Sequence, residues 1–197
     1  VSELKKEKFE PYLTTMAKEL KPETGFVLPY GDSPYDHENV GEEVYVHILN
    51  HAKKYVHIMT PYLILDNGML DTLTRAAKSG IEVCIIMPHI PDKWYAFAVA
   101  KTYYRELIEA GVNIYEFTPG FVHAKVFVSD DDTATVGTVN LDYRSLYLHF
   151  ECGSSQVSNL EINSSVWLSL PEATALISIF SDSYLFSITS IFEKGCS

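Results

Sequence analysis

His123 and Lys125 stand two residues apart in a stretch that reads as a β-strand. Side chains at i and i+2 of a strand share one sheet face, so an imidazole and an ammonium project together. A neutral imidazole can serve as nucleophile or general base near neutral pH. The ammonium can hold a phosphoryl oxygen as charge develops on it, and the carboxamide of Asn140, which follows Gly137-Thr138-Val139 at a strand end, can add an N–H. Glu151 supplies a carboxylate that, bonded to the second imidazole nitrogen, would fix the ring's tautomer. The Thr138 hydroxyl fits either a phosphate-side role or a backbone-capping role.

Other chemistries find less support. His47 and His51 have the i, i+4 spacing of a metal pair, but Ile48 stands where a metalloprotease helix needs glutamate and no third ligand is evident, so no metal site is expected. The ten glycines form neither G-x-G-x-x-G nor a P-loop, and no cofactor is expected. Cys84, Cys152 and Cys196 are odd in number and widely spaced, which suits reduced thiols rather than a disulfide framework. A net charge of −11 opposes a nucleic-acid partner, whose phosphates require neutralising cations. No signal peptide or transmembrane run is visible, so a cytoplasmic or peripheral chain is expected.

The elements that must position these residues alternate between strand and helix. Residues 26–28 read as a short strand, 42–54 as an amphipathic helix and 55–60 as a strand closed by Pro61. Asp66 has the character of an N-cap for a helix to Lys78, which Gly80 ends. A buried central strand is expected over 81–87, a helix over 92–110, and strands over 112–117, 122–129 and 133–136. This alternation predicts an α/β domain: a central mixed sheet flanked by helices on both faces. Three regions are expected: an N-terminal linker helix over 1–24, the α/β domain over 25–153, and a divergent segment over 154–197, serine- and isoleucine-rich and nearly without charge. The aromatics Tyr62, Trp94, Tyr95, Phe97, Tyr103 and Tyr104 suit either an apolar lipid-facing rim or the core.

Taken together, His123, Lys125, Asp130, Gly137, Thr138, Asn140 and Glu151 form H-x-K-x4-D-x6-G-(S/T)-x-N with a glutamate eleven residues on. This compound spacing resembles the HKD motif of the phospholipase D superfamily. His51-Ala52-Lys53 repeats the tripeptide, but it lies on a predicted helix with Ile58 in the aspartate's place, and reads as surface. The stretches Val27-Leu28-Pro29-Tyr30, Thr60-Pro61-Tyr62-Leu63 and Asn140-Leu141-Asp142-Tyr143-Arg144-Ser145 are similar to bacterial cardiolipin synthases, over roughly Gly25 to Gly153.

That resemblance implies a phospholipase-D-type domain and a phosphatidyl transfer that needs no metal. Two HKD halves would face one another. One histidine would attack the lipid phosphorus and the other would protonate the departing alcohol, with phosphatidylglycerol as donor and acceptor and glycerol released. His123 would be nucleophile or general acid, Lys125 and Asn140 phosphate ligands, Glu151 the imidazole's orienter, and Asp130 a structural residue with Gly137. The implied partners are phosphatidylglycerol, a membrane surface, and a second HKD half or a homodimer. A single motif also admits a homodimeric phosphodiesterase or nuclease, or a catalytically silent fragment. The change of texture after Gly153 is expected to reflect a truncated or frameshifted coding sequence.

Overall fold

A computed structural model describes residues 25–158. The expectations for residues 1–24 and 159–197, including the linker helix, lie outside the described residues. The elements run β1 (Gly25–Asp32), α1 (Val40–His51), β2 (Tyr55–Met59), β3 (Leu63–Ile64), α2 (Asn67–Lys78), β4 (Glu82–Pro88), α3 (Trp94–Glu109), β5 (Asn113–Phe117), β6 (Val126–Ser129), β7 (Thr133–Gly137), β8 (Leu141–Asp142), α4 (Tyr143–Tyr147) and β9 (Glu151–Ser158).

The main sheet has seven strands in the order β1-β9-β7-β6-β2-β4-β5. β2, β4 and β5 are parallel, joined through α2 and α3, because parallel neighbours need crossover connections. The remaining pairs are antiparallel. The result is the mixed sheet with flanking helices that strand–helix alternation demands.

Burial explains which strands lie centrally. Val83, Cys84, Ile85, Ile86, Met87 and Pro88 of β4 are all buried, the near-continuous apolar run of a strand covered on both faces. On one face, α1 contributes Tyr45, Ile48 and Leu49 and α2 contributes Met69, Leu73 and Ala76, each set at helical spacing, together with Ala100 and Leu107 of α3. They pack on Val56, Ile58, Val83, Ile85, Met87 and Phe127 of the sheet. The other face carries a smaller cluster of Met59, Cys84, Ile86, Val122 and Val126, to which no described helix contributes. Burial there pushes the Cys84 thiol up to about 12, which leaves it protonated and unreactive.

Local signals set the boundaries. Asp66 caps α2 by accepting from the backbone N–H groups of Gly68 and Met69. Gly80 takes φ +93°, a left-handed stop that suits glycine. β9 pairs with β1 as far as Ser158 and with β7 as far as Val157, so the ladder runs on past Gly153.

The hairpin between β6 and β7 has a specific anchor. Asp130 and Asp131 take φ of 54° and 62°, and Asp132 N–H closes the turn on Ser129 C=O at 3.2 Å. Two successive left-handed residues make a type I′ turn, which aspartate tolerates better than most residues. The Asp130 carboxylate also accepts from the backbone N–H of Lys53 (2.6 Å), Lys54 (2.9 Å) and Tyr55 (3.0 Å), where α1 gives way to β2. Burial alone would raise this carboxyl's pKa, but the three N–H donors and the Lys53 charge outweigh it and hold the pKa below the ordinary value.

A depressed folded pKa means the ionised form is bound more favourably in the native state. Its stabilisation is complete above the unfolded value near 4 and fades as pH falls through the lower folded value. Asp130→Asn is expected to lower stability by about 1–2 kcal/mol at pH 7. Acid melts should show the gap to wild type closing below about pH 4; a gap unchanged down to pH 2 would contradict the assignment.

Candidate active site

The cleft lies where the carboxyl ends of the parallel strands meet β7 and β9. It has a volume of about 1250 Å³, and its wall includes His123, Lys125, Gly137, Thr138, Asn140 and Glu151. Asp130 is not on that wall; it sits at the hairpin described above.

The expected strand 122–129 begins only at Val126, so His123 and Lys125 lie on the irregular segment that leads into β6. The His123 side is exposed, between buried Val122 and half-buried Ala124. Its ring stacks on Phe121 with centroids 5.7 Å apart and meets the edge of Tyr62 at 6.2 Å. Lys125 Nζ donates to the His123 carbonyl at 2.5 Å, and Gly137 N–H donates to the Lys125 carbonyl at 3.3 Å.

Opposite them, the end of β7 and the start of β9 approach unusually closely. A Cβ on Gly137 would collide with the Cys152 carbonyl oxygen and come within 2.7 Å of Gly153 Cα. This closeness lets Thr138 lock the two strands: its N–H donates to Cys152 C=O at 2.8 Å and its hydroxyl accepts from Cys152 N–H at 3.0 Å. The same hydroxyl makes a short hydrogen bond to Glu151 Oε2. Glu151 Oε1 lies 3.7 Å from His149 Nδ1, and the Glu151 side chain keeps only 8% of its exposure.

Asn140 is placed by two contacts. Tyr45 of α1 donates to the Val139 carbonyl at 2.6 Å on one side of it, and on the other Leu141 pairs with Leu63 where β8 meets β3. The amide donates from Nδ2 to Ser145 Oγ at 2.9 Å, while Oδ1 is buried with no hydrogen-bond partner among the described residues. A serine hydroxyl both donates and accepts, so turning the amide over keeps the Ser145 bond and presents N–H instead. Either way one buried polar group is left for a bound molecule.

Sequence reasoning passed over several wall residues. Arg144 Nε donates to His149 Nε2 at 2.7 Å, and Tyr62 hydroxyl donates to Asp92 Oδ2 at 2.6 Å. Burial and then the Asp92 carboxylate push the Tyr62 hydroxyl well above its usual range, so it remains a donor. Arg144 stood inside a stretch already marked by its resemblance; nothing in the local pattern singled out His149. The aromatics divide. Trp94 and Tyr95 are exposed, and Phe121, Tyr143 and Leu148 join Tyr95 on the cleft's apolar wall. Tyr103 and Tyr104 instead pack on the core.

His47 and His51 stack on one another at 3.9 Å on α1, and no cluster of metal-ligating side chains occurs among the described residues. No helix among the described residues is long and apolar enough to cross a membrane.

The mixed sheet with its HxK segment and the Gly137–Asn140 strand end defines a phospholipase-D-type domain. Solved structures agree on the fold: Nuc, a phospholipase D family member from Salmonella typhimurium, superposes with a TM-score of 0.56 at 18% identity, over 68% of this chain and 84% of that one. Phosphatidylserine synthase of Haemophilus influenzae superposes at 0.53 with 20% identity, over 68% and 35%. Residues 45–167 match the family described as cardiolipin synthase, phospholipase D-like domain, and the chain belongs to that family. The match runs beyond Gly153, as β9 does.

Among relatives, an uncharacterized protein of Streptococcus mutans is 62% identical over 146 residues, 74% of this chain and 32% of its own length. Cardiolipin synthase of Halalkalibacterium halodurans is 38% identical over 148 residues, 75% and 28%. Cardiolipin synthase 2 of Bacillus anthracis is 44% identical over 110 residues, 56% and 21%. The chain thus spans about a third or less of the length of these curated relatives.

Proposed function

We propose that this chain supplies one half of a phosphatidyl-transfer site that joins two phosphatidylglycerol molecules into cardiolipin and releases glycerol. The observation that carries the reading is the gathering of His123, Lys125, Thr138, Asn140 and Glu151 on one open cleft, in a chain whose family is that of cardiolipin synthase phospholipase D-like domains.

In the first step the histidine nitrogen bonds to phosphorus as the phosphorus–oxygen bond to glycerol breaks, and the facing histidine gives the glycerol oxygen its proton. In the second, a hydroxyl of the other phosphatidylglycerol loses its proton to that facing histidine and displaces the first histidine. His123 takes the nucleophile or the general-acid role, and Glu151, held by Thr138 and beside His149, is the carboxylate that would orient it. Lys125 and the turned amide of Asn140 hold the non-bridging oxygens as charge grows on them; such fixed donors act best in a water-poor site. Asp130 and Gly137 support the frame. The opposing half comes from a second HKD domain or a second copy of this chain, and the exposed aromatics at the mouth suit contact with lipid.

The test is to give the purified chain phosphatidylglycerol vesicles, following cardiolipin by mass spectrometry and oligomeric state by light scattering. A dimer that forms cardiolipin, with an acid-labile phosphohistidine, is the expected result. A stable monomer that forms neither product nor covalent adduct, alone or mixed with a second HKD half, would leave the chain a silent fragment and defeat the reading. Lys125→Ala should lower the transfer rate by about 10²-fold, the scale of losing one transition-state donor. An unchanged rate in the same assay would remove Lys125 from the phosphate site.

A further inference from the structure

Joining two anionic lipids, the reaction proposed above, brings a second phosphodiester into the cleft beside the one that reacts. His123, Lys125 and Asn140 are committed to the reacting phosphorus in that reading. Two other cations lie on the wall, Lys93 and Arg144. Lys93 sits over the Tyr62 ring at 5.5 Å.

Arg144 is held differently. Its Nε donates to His149 Nε2 at 2.7 Å. A guanidinium can only donate, so Nε2 accepts and the ring proton resides on Nδ1, which faces Glu151 Oε1 at 3.7 Å. Glu151 is itself tied to Thr138 through its other oxygen. The guanidinium is therefore anchored at Nε by a chain of contacts that leads back to the β7–β9 seam. Its two terminal nitrogens make no hydrogen bond or ion pair among the described residues, and the side chain is exposed on the cleft wall.

We propose that Arg144 is the ligand for the phosphodiester of the acceptor lipid, a subsite distinct from the reacting phosphate. The terminal nitrogens of an arginine form a planar fork that matches two oxygens of one phosphate, which a lysine point charge does not. Anchoring at Nε leaves that fork pointing at ligand rather than at protein. The subsite rests on the phosphatidyl-transfer reading and assigns the acceptor class: an alcohol that already carries a phosphodiester, in preference to water or free glycerol.

The experiment compares two soluble probes by calorimetry on the full chain: sn-glycerol 3-phosphate, with one phosphate, and glycerol 1,3-bisphosphate, with two phosphates on one three-carbon bridge. A ligand that engages two subsites at once gains from effective concentration. Wild type is expected to bind the bisphosphate about tenfold or more tightly than the monophosphate. Arg144→Gln should reduce that preference to about twofold, the statistical value for two equivalent ends, and spare monophosphate binding. Arg105→Gln, which removes the same charge from a solvent-exposed pair with Glu109, should keep the wild-type preference.

The proposal is overturned if wild type shows no preference, if Arg144→Gln retains it, or if Arg144→Gln loses the monophosphate as well while its circular dichroism stays native. Lys125→Gln separates the underlying reading. If it leaves monophosphate affinity unchanged, the phosphate site at His123 and Lys125 fails, and Arg144 is still judged by the ratio.

Discussion

Replacing His123 with alanine should lower cardiolipin formation by about 10⁴-fold or more, since removing a covalent nucleophile or an essential acid typically costs several orders of magnitude. In activation terms this is about 5.5 kcal/mol at 1.36 kcal/mol per decade. The fold should survive the change. His123 is exposed, and its ring stacks on Phe121, itself exposed, and meets the edge of Tyr62. Thermal melting of the variant should therefore stay within about 2 °C of wild type, the response to a change of roughly half a kcal/mol. The two readings, taken on one preparation, separate chemistry from folding. Turnover at the wild-type rate would remove His123 from the mechanism; a large fall in melting temperature would make it a structural residue.

The second large effect belongs to a residue with no side chain. Gly137→Ala places a methyl group against the Cys152 carbonyl and within 2.7 Å of Gly153 Cα. These are backbone atoms of the neighbouring strand, so no rotamer change can make room; β7 and β9 must part. Overpacking of this kind costs about 3 kcal/mol, which lowers the melting temperature by roughly 6–12 °C in a chain of this size. Activity should fall even below the melting point, because Thr138 and Glu151 are joined across the same seam. Gly120→Ala is the control: a Cβ there meets nothing within 4 Å, and its melting curve should overlay wild type. If Gly137→Ala melts like wild type with full activity, the close approach has no importance for the site.

Legibility in the sequence followed the range of the interaction responsible. The interiors of α2 and β4 were readable because apolar spacing, an Asp66 cap and a glycine stop act within a few residues. The start of β6 was not. Residues 122–125 alternate like a strand, yet the ladder with β2 opens only at Val126, where Met59 pairs with it. β3, β8 and α4 escaped notice for a related reason: two to five residues carry too little pattern to register, and β3 and β8 exist through pairing across a long stretch of chain. β9 had no counterpart in the sequence reading, because the serine-rich texture around and after Gly153 lacks apolar alternation and the strand exists through hydrogen bonding to β1 and β7.

For the candidate site, the inventory could be read along the chain: a histidine, a lysine, a threonine, an asparagine and a glutamate at a spacing whose joint occurrence is far more specific than any member. The spacing also separated that set from the His51-Ala52-Lys53 copy, because the copy lacks its downstream partners. Which groups share a cleft, that Asp130 turns away to cap the entrance to β2, and that Arg144 bonds His149 emerge from the folded arrangement alone. The difference lies in the nature of the contacts. Motif spacing records covalent distance along the chain, whereas the Arg144–His149–Glu151–Thr138 sequence of contacts depends on two strand ends being brought together without an intervening side chain. That approach is a property of the sheet, and it becomes visible only when β7 and β9 are paired.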